Sequence, residues 1–145
     1  MVIVNDRADL AWLAGAAGVH VGQDDLPPDR VRHVVGADAV IGLSTHTADQ
    51  LDRGRLEPVS YLAIGPVFGS ATKATGYAPV GLELVRYAAS FGLPVVAIGG
   101  LTLANAGSVL AAGATSVAVI SDLVADGDPE ARVRAYVGET RRFAV

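Results

Sequence analysis

One lysine stands among ten arginines in this chain, and the residues around it are small and polar. The stretch Gly65-Pro66-Val67-Phe68-Gly69-Ser70-Ala71-Thr72-Lys73-Ala74-Thr75-Gly76 carries three hydroxyls and the Lys73 ammonium. Glycine, serine and threonine let backbone N–H groups and hydroxyls approach an oxyanion closely while a lysine supplies charge. On its own such a loop would read as a surface connector, so its weight depends on what accompanies it. Two carboxylates do: Asp6 and Asp25 each fall just past an apolar run, one repeat apart. On adjacent parallel strands they could share a hard cation such as Mg²⁺, which takes one or two carboxylates and fills its shell with phosphate and water. The structural alternatives are that Asp6 caps the following helix and that Asp25 holds the turn before Pro27-Pro28. Asp24 reads as a solvated neighbour.

Gly99-Gly100 follows the run Val95–Ile98, and Ser121 follows the next one. Paired glycines let backbone N–H groups reach a phosphate because no Cβ blocks the approach; a simple tight turn is the alternative. His20, inside Val19-His20-Val21, reads as a hydrogen-bonded interior residue, and His33 as a helix-surface one. His46 follows Ser44-Thr45 at a strand end, where it could face the same mouth. Neither a Ser/His/Asp nucleophile signature nor a glycine-rich dinucleotide fingerprint is present. Carboxylates, hydroxyls, one ammonium and backbone amides make a kit for holding phosphates and a metal.

Positioning such groups requires a frame. Short Val/Ile-rich runs alternate with Ala/Leu/Arg-rich stretches. The pattern predicts strands at Val2–Val4, Gly18–Val21, Ala39–Leu43, Tyr61–Ile64, Val95–Ile98 and Ser116–Ile120. Helices are expected at Ala8–Ala16, Pro28–Val35, Thr47–Arg53, Gly81–Ser90, Ala104–Ala112 and Pro129–Phe143. Pro27-Pro28 opens one helix, Gly36 and Gly113 close two others, and Thr102 can cap the helix containing Asn105. Strands without polar alternation imply a parallel sheet covered on both faces by helices. Functional-looking groups at nearly every strand's C-terminal end favour a (β/α)8 barrel, which gathers those ends around one mouth, over an open doubly wound sheet. The chain is expected to form one partial barrel domain over residues 1–145, with six βα units.

Composition narrows the partners. About half the chain is apolar (51 %), enough for a sizeable core, and the net charge is −4. Scattered basic residues give no nucleic-acid groove or membrane-attracted patch. Without cysteine there are no disulfides or thiolate metal sites. A cytoplasmic location is expected.

Six stretches, in this order, resemble thiamine phosphate synthase: Val4-Asn5-Asp6, Gly18-Val19-His20-Val21-Gly22-Gln23-Asp24-Asp25-Leu26, Gly42-Leu43-Ser44-Thr45-His46-Thr47, Gly65-Pro66-Val67-Phe68 through Thr72-Lys73, Ala97-Ile98-Gly99-Gly100-Leu101-Thr102 and Val117-Ala118-Val119-Ile120-Ser121. That family joins hydroxymethylpyrimidine diphosphate to a thiazole phosphate, releasing pyrophosphate, on a barrel with Mg²⁺. The resemblance implies that Asp6 and Asp25 hold the metal on the diphosphate. It implies that Asn5, Ser44, Thr72 and Lys73 contact the diphosphate and its neighbourhood, with Lys73 and Ser44 in catalytic roles. Gly99, Gly100, Ile120 and Ser121 would seat the thiazole phosphate. Ser70 stands where the family usually has threonine and keeps the hydroxyl. Family members usually begin with two further βα units, so the resemblance implies that this chain starts before the third strand. A homo-oligomer or a complementing chain would then cover the open strand edges. The related thiazole tautomerase, with His46 in proton transfer, is the alternative enzymatic reading. A non-catalytic remnant that binds a phosphate ligand is the other.

Overall fold

The structure, a computed structural model, describes residues 1–69 and 76–143. Strands and helices alternate: β1 (Ile3–Asn5), α1 (Ala8–Leu13), β2 (Gly18–Val21), α2 (Pro28–Val35), β3 (Val40–Thr45), α3 (Ala48–Gly54), β4 (Tyr61–Ile64), α4 (Gly81–Ala89), β5 (Val95–Ile98), α5 (Leu103–Ala111), β6 (Ser116–Ala118) and α6 (Pro129–Arg141). A short 3₁₀ turn, Ser121–Val124, separates β6 from α6. This is the parallel α/β class that the sequence pattern implies. The chain divides into two compact units, Met1–Ala63 and Ile64–Val145.

In the first unit the strands lie side by side in chain order. β1 pairs in parallel with β2 and β2 with β3, in a register that places Asn5, His20 and Gly42 in one row. Ser60 N–H donates to Ile41 O at 2.7 Å and Thr45 Oγ1 to Ala63 O at 2.8 Å, which sets β4 beside β3. Strand side chains alternate between faces. Val19, Val21, Ile41 and Leu43 are buried on one face with Ala8, Ala11, Val31 and Leu51 from the helices. Full burial of a side chain such as Ile41 or Leu51 is worth about 1.5–3 kcal/mol, so this apolar face fixes the register of the polar one. Arg32 stitches the back of the unit by donating to the carbonyls of Gly36, Ala37, Ala39 and Pro58. Thr47 caps α3, its hydroxyl accepting from Gln50 N–H.

In the second unit β5 pairs in parallel with β6. The chain leaving β4 runs beside the end of β5: Val67 N–H donates to Ile98 O at 2.9 Å and Phe68 N–H to Gly99 O at 3.1 Å. Val67, Val85, Ala88, Val95, Ala97, Ala106 and Val109 form its core. The last strand stops at Ala118 rather than Ile120. Ile120 adopts φ −122, ψ −78 and leads straight into the 3₁₀ turn, leaving its side chain 68 % exposed. No helix among the described residues is long and apolar enough to cross a membrane.

Candidate active site

In the first unit the polar groups are held by side chains. His20 occupies the middle of the row Asn5–His20–Gly42. A Cβ on Gly42 would fall 2.1 Å from Tyr61 Cζ and 2.5 Å from His20 Nδ1, so the missing side chain is the space into which these two rings fit. The rings stack at 5.6 Å between centroids. His20 Nδ1 lies 2.9 Å from Tyr61 Oη, and Nε2 lies 2.8 Å from Ser44 Oγ. Ser44 is two residues beyond Gly42 on the same strand face, and its carbonyl accepts from Gln23 Nε2 at 2.7 Å. The interior hydrogen-bonded reading of His20 is therefore the one observed.

Both carboxylates act on the same imidazole electrostatically. Burial holds His20 below the usual histidine range, while Asp6 and Asp25 pull in the opposite direction. Both are therefore within electrostatic reach of it. Asp6 follows β1 with φ 63, a left-handed conformation that aspartate tolerates better than most residues, and its N–H donates to His20 O at 2.7 Å. It does not cap α1: Arg7 occupies the N-cap position, with no side-chain capping bond. Asp25 does hold its turn, Oδ2 accepting from Gly22 N–H at 2.7 Å. His46, past the end of β3, donates its N–H to Gln50 Oε1 at 2.7 Å.

In the second unit the corresponding groups belong to the backbone. Gly99 and Gly100 have φ 89 and 65. Added Cβ atoms would lie 2.6 Å from Pro66 Cα and 2.5 Å from Gly69 O. Left-handed backbone and close approach thus both demand glycine here. Val80 N–H donates to Pro66 O and Gly81 N–H to Val67 O, which closes the base of the loop carrying Lys73. That base abuts Gly100. Ser70, Thr72 and Lys73 themselves lie outside the described residues.

Asp122, which the sequence reading did not single out, ties Ser121 to this region. It is 8 % exposed. Its carboxylate accepts from Leu103 N–H at the start of α5, from Arg132 and from Tyr136. Burial pushes its carboxyl up, but the bonds from Tyr136, Arg132 and Leu103 outweigh that and hold it below the usual carboxylate range. Asn105 adds a second clamp, accepting from Thr102 N–H and donating to Gly100 O. The available sequence signal for Asp122 was weak: an acid after a strand with Arg132 and Tyr136 four apart on the next helix. For the His20–Tyr61 pair the signal was Gly42, a glycine inside an apolar strand, which marks close approach.

The sequence pattern of the family described as "Thiamine monophosphate synthase" matches residues 1–123. The chain belongs to this family. The thiamine-phosphate synthase of Roseiflexus sp. (strain RS-1) is 46 % identical over 135 residues, covering 92 % of this chain and 57 % of that protein. The thiamine-phosphate synthase of Koribacter versatilis (strain Ellin345) is 50 % identical over 126 residues, 86 % of this chain and 60 % of that one. Among solved structures, thiamine phosphate pyrophosphorylase from Pyrococcus furiosus superposes with a TM-score of 0.88 at 28 % identity, over 99 % of this chain and 68 % of that chain. The barrel-type α/β fold expected from the strand pattern is thus that of the family. The chain spans roughly three-fifths of the length of the curated relatives it matches.

Proposed function

We propose that this chain carries the substrate-binding strand ends of a thiamine-phosphate synthase, joining hydroxymethylpyrimidine diphosphate to a thiazole phosphate with release of pyrophosphate. The observation that carries the reading is that Ser44 bonds His20 while Asp6 and Asp25, which follow β1 and β2, both lie within electrostatic reach of that imidazole. Family membership supplies the rest.

The donor set suits Mg²⁺. Asp25 spends Oδ2 on Gly22 N–H, which leaves its other oxygen, and Asp6 projects from a backbone turned left-handed. Two carboxylates leave most of an octahedral shell to phosphate and water, as this ion prefers. When bound, the metal would neutralise charge that develops on the departing pyrophosphate. Asn5 and Ser44 would hold the diphosphate in place, and Lys73, with Ser70 and Thr72, would supply positive charge and hydroxyl donors to it. Gly99, Gly100, Ile120 and Ser121 would seat the thiazole phosphate through backbone N–H groups and a hydroxyl. Cleavage at the methylene carbon gives a cation that the thiazole nitrogen captures, so no protein base has to move a proton for the bond to form. His20, with both ring nitrogens engaged by Tyr61 and Ser44, agrees with that. Holding two reactants in register supplies much of the remaining rate.

The two substrates are thereby assigned to different sets of residues, which calorimetry can separate. Lys73→Ala should weaken binding of the pyrimidine diphosphate by about tenfold or more, the loss expected for a charge-assisted contact, and leave thiazole-phosphate binding nearly unchanged. Equal losses for both ligands would contradict the assignment.

A further inference from the structure

Two loops of the second unit are moored to the first turn of α5. Asn105 Nδ2 donates to Gly100 O at 3.0 Å, and Asn105 Oδ1 accepts from Thr102 N–H at 2.9 Å. On the same turn Leu103 N–H donates to Asp122 Oδ2 at 3.1 Å. Residues 103 and 105 stand about 3 Å apart along the helix axis, so both moorings share one short support. That support is itself fixed. The N–H groups of Asn105 and Ala106 donate to Thr102 O, and Ala106, Val109 and Leu110 are buried beneath it.

Each mooring also orients its neighbours. The Gly100–Leu101 peptide is trans and planar, so holding Gly100 O against Asn105 turns Leu101 N–H the opposite way. Among the described residues neither Gly100 N–H nor Leu101 N–H has an acceptor, and buried backbone donors seldom stay unpaired. Asp122, bonded through its own backbone to Ser121, is held at two points: Arg132 Nε donates to its carbonyl at 3.1 Å, and Arg132 Nη2 pairs with Oδ1 at 3.0 Å. The guanidinium balances the carboxylate, so this mooring adds no unpaired negative charge beside an anion-binding loop.

We infer that Asn105 and Asp122 are positioning residues that use the first turn of α5 as a bracket, setting the Gly100–Leu101 backbone and Ser121 at one separation for a single phosphate group. That the phosphate belongs to a thiazole rests on the synthase reading; the coupling of the two loops through α5 does not. A bracket with two arms fails when either is cut, so a second cut costs little. Two independent supports would instead lose affinity additively in free energy.

Backbone amide ¹H–¹⁵N spectra of the full chain test the coupling without any ligand. Asp122→Asn should move the Gly100 and Leu101 resonances, and Asn105→Ala should move that of Ser121. Shifts confined to the residues that touch the altered side chain would overturn the bracket. Titration with inorganic phosphate and with thiazole phosphate, followed in the same spectra, supplies the affinity readout. Each single variant should bind both ligands about three- to tenfold more weakly, the worth of one positioning hydrogen bond. The double variant should lose clearly less than the product of the two. Losses that multiply, affinities unchanged in variants shown to be folded by circular dichroism, or no binding of either ligand by the unmodified chain would overturn the positioning role. Should Asp122→Asn not fold, Asn105→Ala still decides through the Ser121 resonance and its own affinities. Thiazole phosphate held no more tightly than inorganic phosphate, with both weakened by the variants, would sink the synthase reading while supporting the bracket.

Discussion

Under the proposed function the two units would present donors to phosphates with different materials. In the first, the groups are side chains on strand ends, oriented by other side chains: Tyr61 on His20, His20 on Ser44, Gln23 on the Ser44 carbonyl. In the second, they are backbone groups at Gly99 and Gly100, whose conformation is enforced by the chain that packs against them and by the Asn105 and Asp122 clamps. A side-chain site can be retuned one group at a time. A backbone site is inseparable from the fold, so its substitutions register first as lost stability.

The largest effect should come from the second unit. Gly100→Ala places a methyl 2.5 Å from Gly69 O and 2.7 Å from Phe68 backbone atoms at φ 65. Strain and overpacking together should cost about 2–5 kcal/mol, read as a lower urea midpoint at unchanged slope. A cost below about 0.5 kcal/mol would show that this backbone is not enforced.

The same substitution in the first unit should behave differently. Gly42→Ala meets the tip of the Tyr61 ring and the His20 ring nitrogen, groups that can swing aside. Its stability cost should be smaller, about 1–3 kcal/mol, but magnesium pyrophosphate affinity should fall because the His20–Ser44 geometry moves with the rings. Calorimetry beside denaturation separates the two losses. If Gly42→Ala loses stability alone, the contrast between the units fails.

The smallest effect sharpens the role of the clamp. Asp122 has a depressed pKa, so the stability it contributes is present above the unfolded value of about 3.9 and disappears as pH falls through the lower folded value. Tyr136→Phe removes one of the bonds that depress it and should cost about 1 kcal/mol at neutral pH. The acid loss should then begin at higher pH than in the unmodified chain. Melting temperatures measured between pH 7 and pH 3 check both points, and parallel pH curves for the two proteins would contradict the assigned cause.

Local pattern was enough to read the frame. Gly18–Val21, Tyr61–Ile64 and Val95–Ile98 form strands over the expected residues because each is a short apolar run with a turn at both ends. The misplaced end of β6 has a tertiary origin: Asp122 draws the chain into a 3₁₀ turn toward Leu103, Arg132 and Tyr136, partners that no local window contains. Among the candidate groups, Asp6 directly follows β1 and Asp25 follows β2 by four residues, so their place after strands was legible. The His20–Tyr61 bond joins residues 41 positions apart and depends on parallel register, which sequence spacing alone does not give. Ile120 was expected at a strand end and instead sits at the entrance to the 3₁₀ turn.

The central claim is that Asp6 and Asp25 serve a metal-bound diphosphate during coupling. The most direct test is mass spectrometry of the purified chain supplied with hydroxymethylpyrimidine diphosphate, both thiazole phosphate tautomers and Mg²⁺. The account predicts thiamine phosphate and pyrophosphate in equal amounts, abolished by EDTA and strongly reduced in Asp6→Asn and Asp25→Asn. Interconversion of the thiazole tautomers without consumption of the pyrimidine, indifferent to EDTA and lost in His46→Ala, would contradict it.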